Sequence, residues 1–184
     1  MDLDNLISDL QQRLPLRRFE HVLRVTETAR ALAAMHGVPA DKAETAALFH
    51  DIAKSMSADG LQRLLTDRGT GPELFKFNKE LWHAPAGALI AEEEYGITDR
   101  DILNAIRFHT TGRAAMSDLE MVVYVADMIE PGREFPGVEE LRRHAEGPLS
   151  GVMEACIVHS VQHLVSKRVP VHPDSIECYN YFVQ

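Results

Sequence analysis

The chain has 184 residues, 45% of them hydrophobic, and carries a formal charge of −9 at pH 7. Those values allow one globular domain with a real core. They argue against a general nucleic-acid binder, which needs the opposite sign to hold a phosphate backbone. No apolar run approaches the roughly 20 residues of a bilayer-spanning helix. The N-terminus, MDLDNLISDL, has acids where a secretory leader would carry bases. We therefore expect a soluble cytoplasmic protein with neither nucleic acid nor membrane as a partner.

The apolar periodicity is helical nearly throughout. Leu3, Leu6, Ile7, Leu10 and Leu14 form a first stripe that stops at Pro15. Phe19, Val22, Leu23, Thr26, Ala29 and Leu32 form a second, ending at Gly37. Pro39 opens a third helix at a favoured first-turn position, with Ala43, Ala46, Ala47 and His50 on one face. Ser57 caps a fourth, which carries Leu61, Leu64 and Leu65 and closes at Gly69. The stretch 69–77, GTGPELFKF, reads as a loop. Helix resumes near Asn78 and runs to Tyr95-Gly96, with Pro85 close to its start. Thr98 and Asp101 resemble a capping box, ahead of Ile102, Ile106 and His109. Ser117 and Glu120 form a true capping box, followed by Leu119, Val122, Val123 and Ala126 on one face. Residues 131–137, PGREFPG, break the pattern. Helices over 138–146 and 149–167 come next, and Pro173 starts a short last one whose Tyr179, Tyr181 and Phe182 should pack it down. With no strand, repeat or low-complexity linker, the short loops predict a single all-α domain over 1–184. Cys156 and Cys178 have no zinc-type spacing and are expected to be reduced, packed thiols.

Nine histidines stand out in a chain of this size. A His-Asp dipeptide such as His50-Asp51 is weak on its own, because a chain rich in both residues produces one by chance. Here it sits on a small apolar face, where an ionised carboxylate needs a partner. A metal ion is one such partner. Asp127 poses the same question on the apolar helix MVVYVADMI; the bland answer is a flank aspartate that reaches solvent or pairs with an arginine. His109 reads either as a metal ligand or as a histidine favoured by a helix C-terminus. His21 and His83, taken singly, read as structural histidines. Together, four helices each bring an imidazole to or near an inward face, with two acids beside them. This mixture suits Mn, Fe, Zn or Co and does not suit a calcium cage. Six ligands exceed one tetrahedral site and fit two ions. Water activated between two cations is the chemistry such a pair supports.

His21, His50-Asp51 and Asp127 reproduce the H…HD…D order of the HD phosphohydrolase superfamily, and His83 and His109 resemble the additional ligands of its binuclear members. More narrowly, HDIAK at 50–54, HAPAG at 83–87, HTTG at 109–112 and ADMIEPGREF at 126–135 resemble the bacterial YqeK branch over nearly the whole chain. That resemblance implies an HD-domain helical bundle that cleaves diadenosine tetraphosphate symmetrically to two ADP, with two divalent ions, iron by preference. It implies that His21, His50, Asp51 and Asp127 hold one ion, and that His83, His109 and a bridging Asp51 hold the other. Lys54, one helical turn beyond His50, and Arg133, in the loop after Asp127, are candidates for catalysis and for neutralising phosphate oxygens. Each also reads as a solvated or locally paired charge. Thr111 and Gly112 are candidate phosphate contacts. Trp82 reads as a core residue, with base stacking as the alternative. His159 and His163, one turn apart, lack an accompanying acid and are set aside as a metal site. Two other functions remain open at this stage: a different HD-type nucleotidase or phosphodiesterase, and a nucleotide-binding regulator without turnover. Whether the chain forms a homodimer is also open.

Overall fold

A computed structural model describes residues 3–70 and 72–184, with side chains from Asn5 onward. Leu3 of the first stripe and Gly71 of the expected loop therefore lie outside the described side chains and residues, respectively. Among the described residues ten α-helices follow one another: α1 (Leu3–Arg13), α2 (Leu16–His36), α3 (Ala40–Phe49), α4 (Ala58–Asp67), α5 (His83–Glu93), α6 (Arg100–Phe108), α7 (Asp118–Ile129), α8 (Val138–His144), α9 (Leu149–Ser166) and α10 (Pro173–Phe182). Among the described residues there is no strand.

The most apolar helix sits at the centre. Helix α7 buries Leu119 through Ala126 without a break, and packs against α2, α3, α6, α8 and α9. A helix hydrophobic all round has nowhere else to go. Its start is fixed by Ser117, whose hydroxyl accepts from the Glu120 amide while the Glu120 carboxylate accepts from the Ser117 amide at 2.7 Å. Glu120 is wholly buried and also takes two parallel bonds from Arg113, both 2.9 Å. The small face of α3, Ala43, Ala46 and Ala47, is fully buried and seats against α2, α6 and α7. On α5, Gly87 lies against the end of α3: a Cβ there would stand 3.4 Å from the Phe49 carbonyl. Helix α1 is held by Leu6, Leu10 and Leu14 beneath and by two polar ties above. These are the Tyr95 hydroxyl on Asp9 and Arg13 on Glu94 at 2.7 Å.

Four local expectations are corrected. The cap of α6 is Asp99, whose carboxylate accepts from the Asp101 amide at 2.9 Å; Thr98 lies one residue too early. Helix α3 stops at Phe49, so His50 to Ser55 form successive tight turns, with Ile52 and Lys54 amides bonding three residues back. Lys54 is therefore not one regular helical turn beyond His50. Part of the expected loop, Pro72–Lys76, is a 3-10 helix, as is Lys79–Leu81, capped by Asn78. Helix α5 begins only at His83, which puts Pro85 in a first turn that has no use for its missing amide hydrogen. Trp82 packs structurally: its ring meets Phe75 edge-on at 5.0 Å and its indole donates to the Leu74 carbonyl at 3.3 Å. Cys156 and Cys178 are both free and buried.

Candidate metal centre

Five helices deliver the ligands. His21 lies on the buried side of α2, His50 is the residue after α3 with Asp51 next to it, His83 opens α5, His109 follows α6, and Asp127 belongs to α7. The four imidazoles and Asp51 are all less than 7% exposed. Their reactive atoms converge. Asp51 Oδ2 stands 3.5 Å from His50 Nε2 and 3.6 Å from His21 Nε2. Its other oxygen, Oδ1, stands 3.0 Å from His83 Nε2 and 4.0 Å from His109 Nε2. Asp127 Oδ1 lies 3.0 Å from His21 Nε2 and 3.9 Å from His50 Nε2. Ligand atoms of His21, His50 and Asp127 all fall within 4.8 Å of one another, as do those of His50, Asp51 and His109.

The rings are aimed from behind. His50 Nδ1 donates to the Ala47 carbonyl at 2.6 Å and His109 Nδ1 to the Ile106 carbonyl at 2.8 Å. His21 Nδ1 faces the Glu130 carboxylate at 3.1 Å. Each of these bonds places the ring proton on Nδ1 and leaves the Nε2 lone pair facing the centre. His83 differs: its Nδ1 faces Lys54 Nζ at 3.4 Å. Two of the inward nitrogens, His21 Nε2 and His50 Nε2, are buried without a hydrogen-bond partner. A buried, unsatisfied lone pair is costly unless something binds it.

The charge state matches the donor set. Burial would raise the Asp51 carboxyl, but the imidazoles of His50, His83 and His109 outweigh it and hold the group well below the usual range. Burial also opposes ionisation of Asp127; His21 and the Arg133 guanidinium more than offset it. Burial pushes His50 down, and burial together with His83 and His50 pushes His109 down to about 3. Ionised carboxylates at Asp51 and Asp127 beside His50 and His109 imidazoles pushed toward the neutral form are what a divalent cation requires of its ligands. The buried lone pairs and this chemistry fit divalent-cation binding.

Beside the centre opens a cavity of about 460 Å³ lined by Arg17, Arg18, Arg24, Lys54, Arg133 and Glu130, among others. Five cations around one opening is a local reversal of a −9 protein. Arg18 Nη1 donates to Asp51 Oδ2 at 2.7 Å. Arg133 Nε donates to the Asp127 carbonyl at 2.7 Å, and its Nη2 bonds the Asp127 carboxylate. Lys54 is shared between this opening and Glu80, whose Oε2 it meets at 2.9 Å. Sequence reasoning found Lys54 and Arg133 but missed Arg17, Arg18, Arg24 and Glu130. The candidate contacts Thr111 and Gly112 are placed elsewhere. Thr111 borders a separate recess of about 120 Å³ with Phe108 and His172. Gly112 lies under α10, where a Cβ would come within 2.5 Å of Cys178 Sγ. His159 packs its ring on Phe135 at 4.9 Å, and no metal-competent group among the described residues includes it or His163.

The HD domain family model matches residues 18–132, the span from Arg18 to Gly132 that contains all six candidate ligands. The chain belongs to the HD domain family. Within that family it is similar to proteins named symmetrical bis(5'-nucleosyl)-tetraphosphatase. It is 42% identical to the one from Halalkalibacterium halodurans, over 93% of this chain and 91% of that one. It is 41% identical to the Bacillus subtilis protein, over 100% of this chain and 98% of that one. A solved structure from Clostridium acetobutylicum, named a predicted HD superfamily hydrolase involved in NAD metabolism, superposes with a TM-score of 0.95. It is 38% identical and covers 100% of this chain and 97% of its own.

Proposed function

We propose that this protein hydrolyses diadenosine tetraphosphate symmetrically to two ADP, in the cytoplasm, as one HD-domain unit over residues 1–184. Full-length relatives with that enzyme name support the substrate. The observation that carries the chemistry is Asp51, whose two oxygens face different histidine pairs beside an arginine-lined opening. In this reading His21, His50, Asp51 and Asp127 hold one divalent ion, and His83, His109 and Asp51 the other. The resemblance favours iron, and the donor set also accepts Mn, Co or Zn. When bound, such ions lower the pKa of a shared water toward neutrality and neutralise phosphoryl oxygens.

The chain's own residues do the rest. Arg17, Arg18, Arg24, Lys54 and Arg133 draw the polyphosphate into the opening and offset its charge as the bond breaks. Arg18 and Arg133, each already bonded to a ligand carboxylate, hold Asp51 and Asp127 in register. The bond cleaved joins a central phosphorus to the central bridging oxygen. The departing ADP is a stable anion, so no side chain is needed as a general acid.

The test joins two measurements on protein purified without air: metal content, and the products of diadenosine tetraphosphate. Two ions per chain and ADP as sole product are expected, with Asp51→Ala inactive and depleted in metal. ATP plus AMP, or turnover restricted to nucleoside monophosphates, would overturn the substrate assignment.

A further inference from the structure

Glu130 is a long carboxylate at the end of the central helix, yet it is 1% exposed. Both of its carboxylate oxygens are engaged. Oε1 meets His21 Nδ1 at 3.1 Å. Oε2 accepts from Arg24 Nε at 2.7 Å and from the Gly132 amide at 2.6 Å. Its backbone carbonyl accepts from Arg142 at 2.8 Å. Gly132 is part of the same arrangement. Its φ is not positive, so the backbone does not demand glycine there. A Cβ at that position would instead stand 2.6–2.8 Å from the Arg24 guanidinium. The missing side chain is the space through which Arg24 reaches Glu130.

We propose that Arg24, Glu130 and Gly132 form a positioning unit for His21, fixing its tautomer and ring direction so that Nε2 is presented to a divalent cation. It rests on the reading of His21 as a ligand. The physical logic is that an ionised carboxylate behind an imidazole keeps the proton on the rear nitrogen and makes the front one more basic. The Arg24 guanidinium and the Gly132 amide both donate to Glu130 Oε2, which fixes the carboxylate behind the His21 ring. Arg24 therefore serves the centre through two intermediates and not only the opening it lines.

The experiment titrates metal-stripped protein with Mn²⁺ alone, so that no nucleotide enters the result, and reads the His21 tautomer by ¹⁵N NMR. In Glu130→Ala, Mn²⁺ affinity should fall on the order of 10–100-fold, and His21 should lose its preference for a protonated Nδ1. Gly132→Ala should weaken Mn²⁺ binding in the native background by displacing Arg24, and should have no effect in an Arg24→Ala background. Glu130→Asp, which keeps the charge but shortens the reach, should recover only part of the loss. Equal effects of Gly132→Ala in the two backgrounds, or a Glu130→Ala protein with native Mn²⁺ affinity and an unchanged His21 tautomer, would overturn the unit. Failure of the native protein to bind Mn²⁺ at all would instead refute the metal reading of the whole centre. Thermal midpoints of the stripped variants separate misfolding from loss of positioning: a folded Glu130→Ala protein with weakened Mn²⁺ binding is the supporting outcome.

Discussion

Replacing Gly112 with alanine tests whether the HTTG stretch touches substrate or packs a helix. Gly112 sits at φ +64, and its added Cβ would lie 2.5 Å from Cys178 Sγ and 3.2 Å from Cys178 Cβ. The left-handed conformation costs a residue with a side chain about 1–2 kcal/mol. The clash with a fully buried neighbour adds about 1–3 kcal/mol of overpacking. A loss of about 3 kcal/mol corresponds to a thermal midpoint lowered by about 9 °C in a chain of this size. The steric part is separable. In a Cys178→Ala background the Sγ clash is gone, leaving the backbone cost and a tight 3.2 Å approach to the remaining Cβ, so the two substitutions should couple by about 1.5 kcal/mol. Urea unfolding of the four proteins measures the cycle, and KM for diadenosine tetraphosphate is expected to be unchanged in folded Gly112→Ala. A raised KM with an unaltered unfolding midpoint would put Gly112 against the substrate and refute the packing argument.

Other outcomes follow from the centre and the core. His83→Ala and His109→Ala should each lower metal content toward one ion per chain without loss of helical signal; unchanged content and rate would remove the binuclear assignment. Arg18→Ala should raise KM on the order of tenfold, the worth of one charge-assisted contact, with a weaker salt dependence than the native enzyme; an unchanged salt dependence would mean Arg18 serves Asp51 alone. Burial pushes the Cys156 and Cys178 thiols from 9.0 up to about 12, so neither should react with a thiol reagent at pH 8 until the protein unfolds. Because the folded value exceeds the unfolded one, these thiols favour folding at neutral pH, and that contribution disappears as pH climbs from about 9 toward about 12. Rapid labelling of folded protein at pH 8 would contradict their burial.

Of the six candidate ligands, His50, Asp51, His109 and Asp127 were legible because each puts an ionisable side chain on or beside a face that periodicity assigns to the core; His21 and His83 became legible only through the joint pattern. Asp127 on MVVYVADMI is the clearest case, and the structure puts it in the most buried helix. The arginines gave no such signal. Arg17, Arg18 and Arg24 lie along α2 at positions that read as an ordinary solvated flank, and only the approach of residues 130–133 turns that flank into a cavity wall. Glu130 was hidden for the reverse reason: next to Pro131, it looked like a helix-end acid, and its burial depends on Arg24, more than a hundred residues earlier. The packing of Gly112 was hidden because its partner, Cys178, belongs to α10, and no local pattern announces that contact. The end of α3 at Phe49 was missed because the turns that follow keep a helical hydrophobic spacing while bonding three residues back.

The ligands span the chain from His21 to Asp127, one or two from each of five separate segments. On the ribosome, no emerging fragment that stops short of α7 owns the full candidate set, so a centre built from all six residues could be completed only once α7 has cleared the exit tunnel. From that moment occupancy would staple together helices far apart in sequence. Chelation should therefore loosen α2, α3, α5, α6 and α7 together, while α9, which contributes no candidate ligand, feels the loss through its contact with α7, and α10 through α9 and the segment around Gly112.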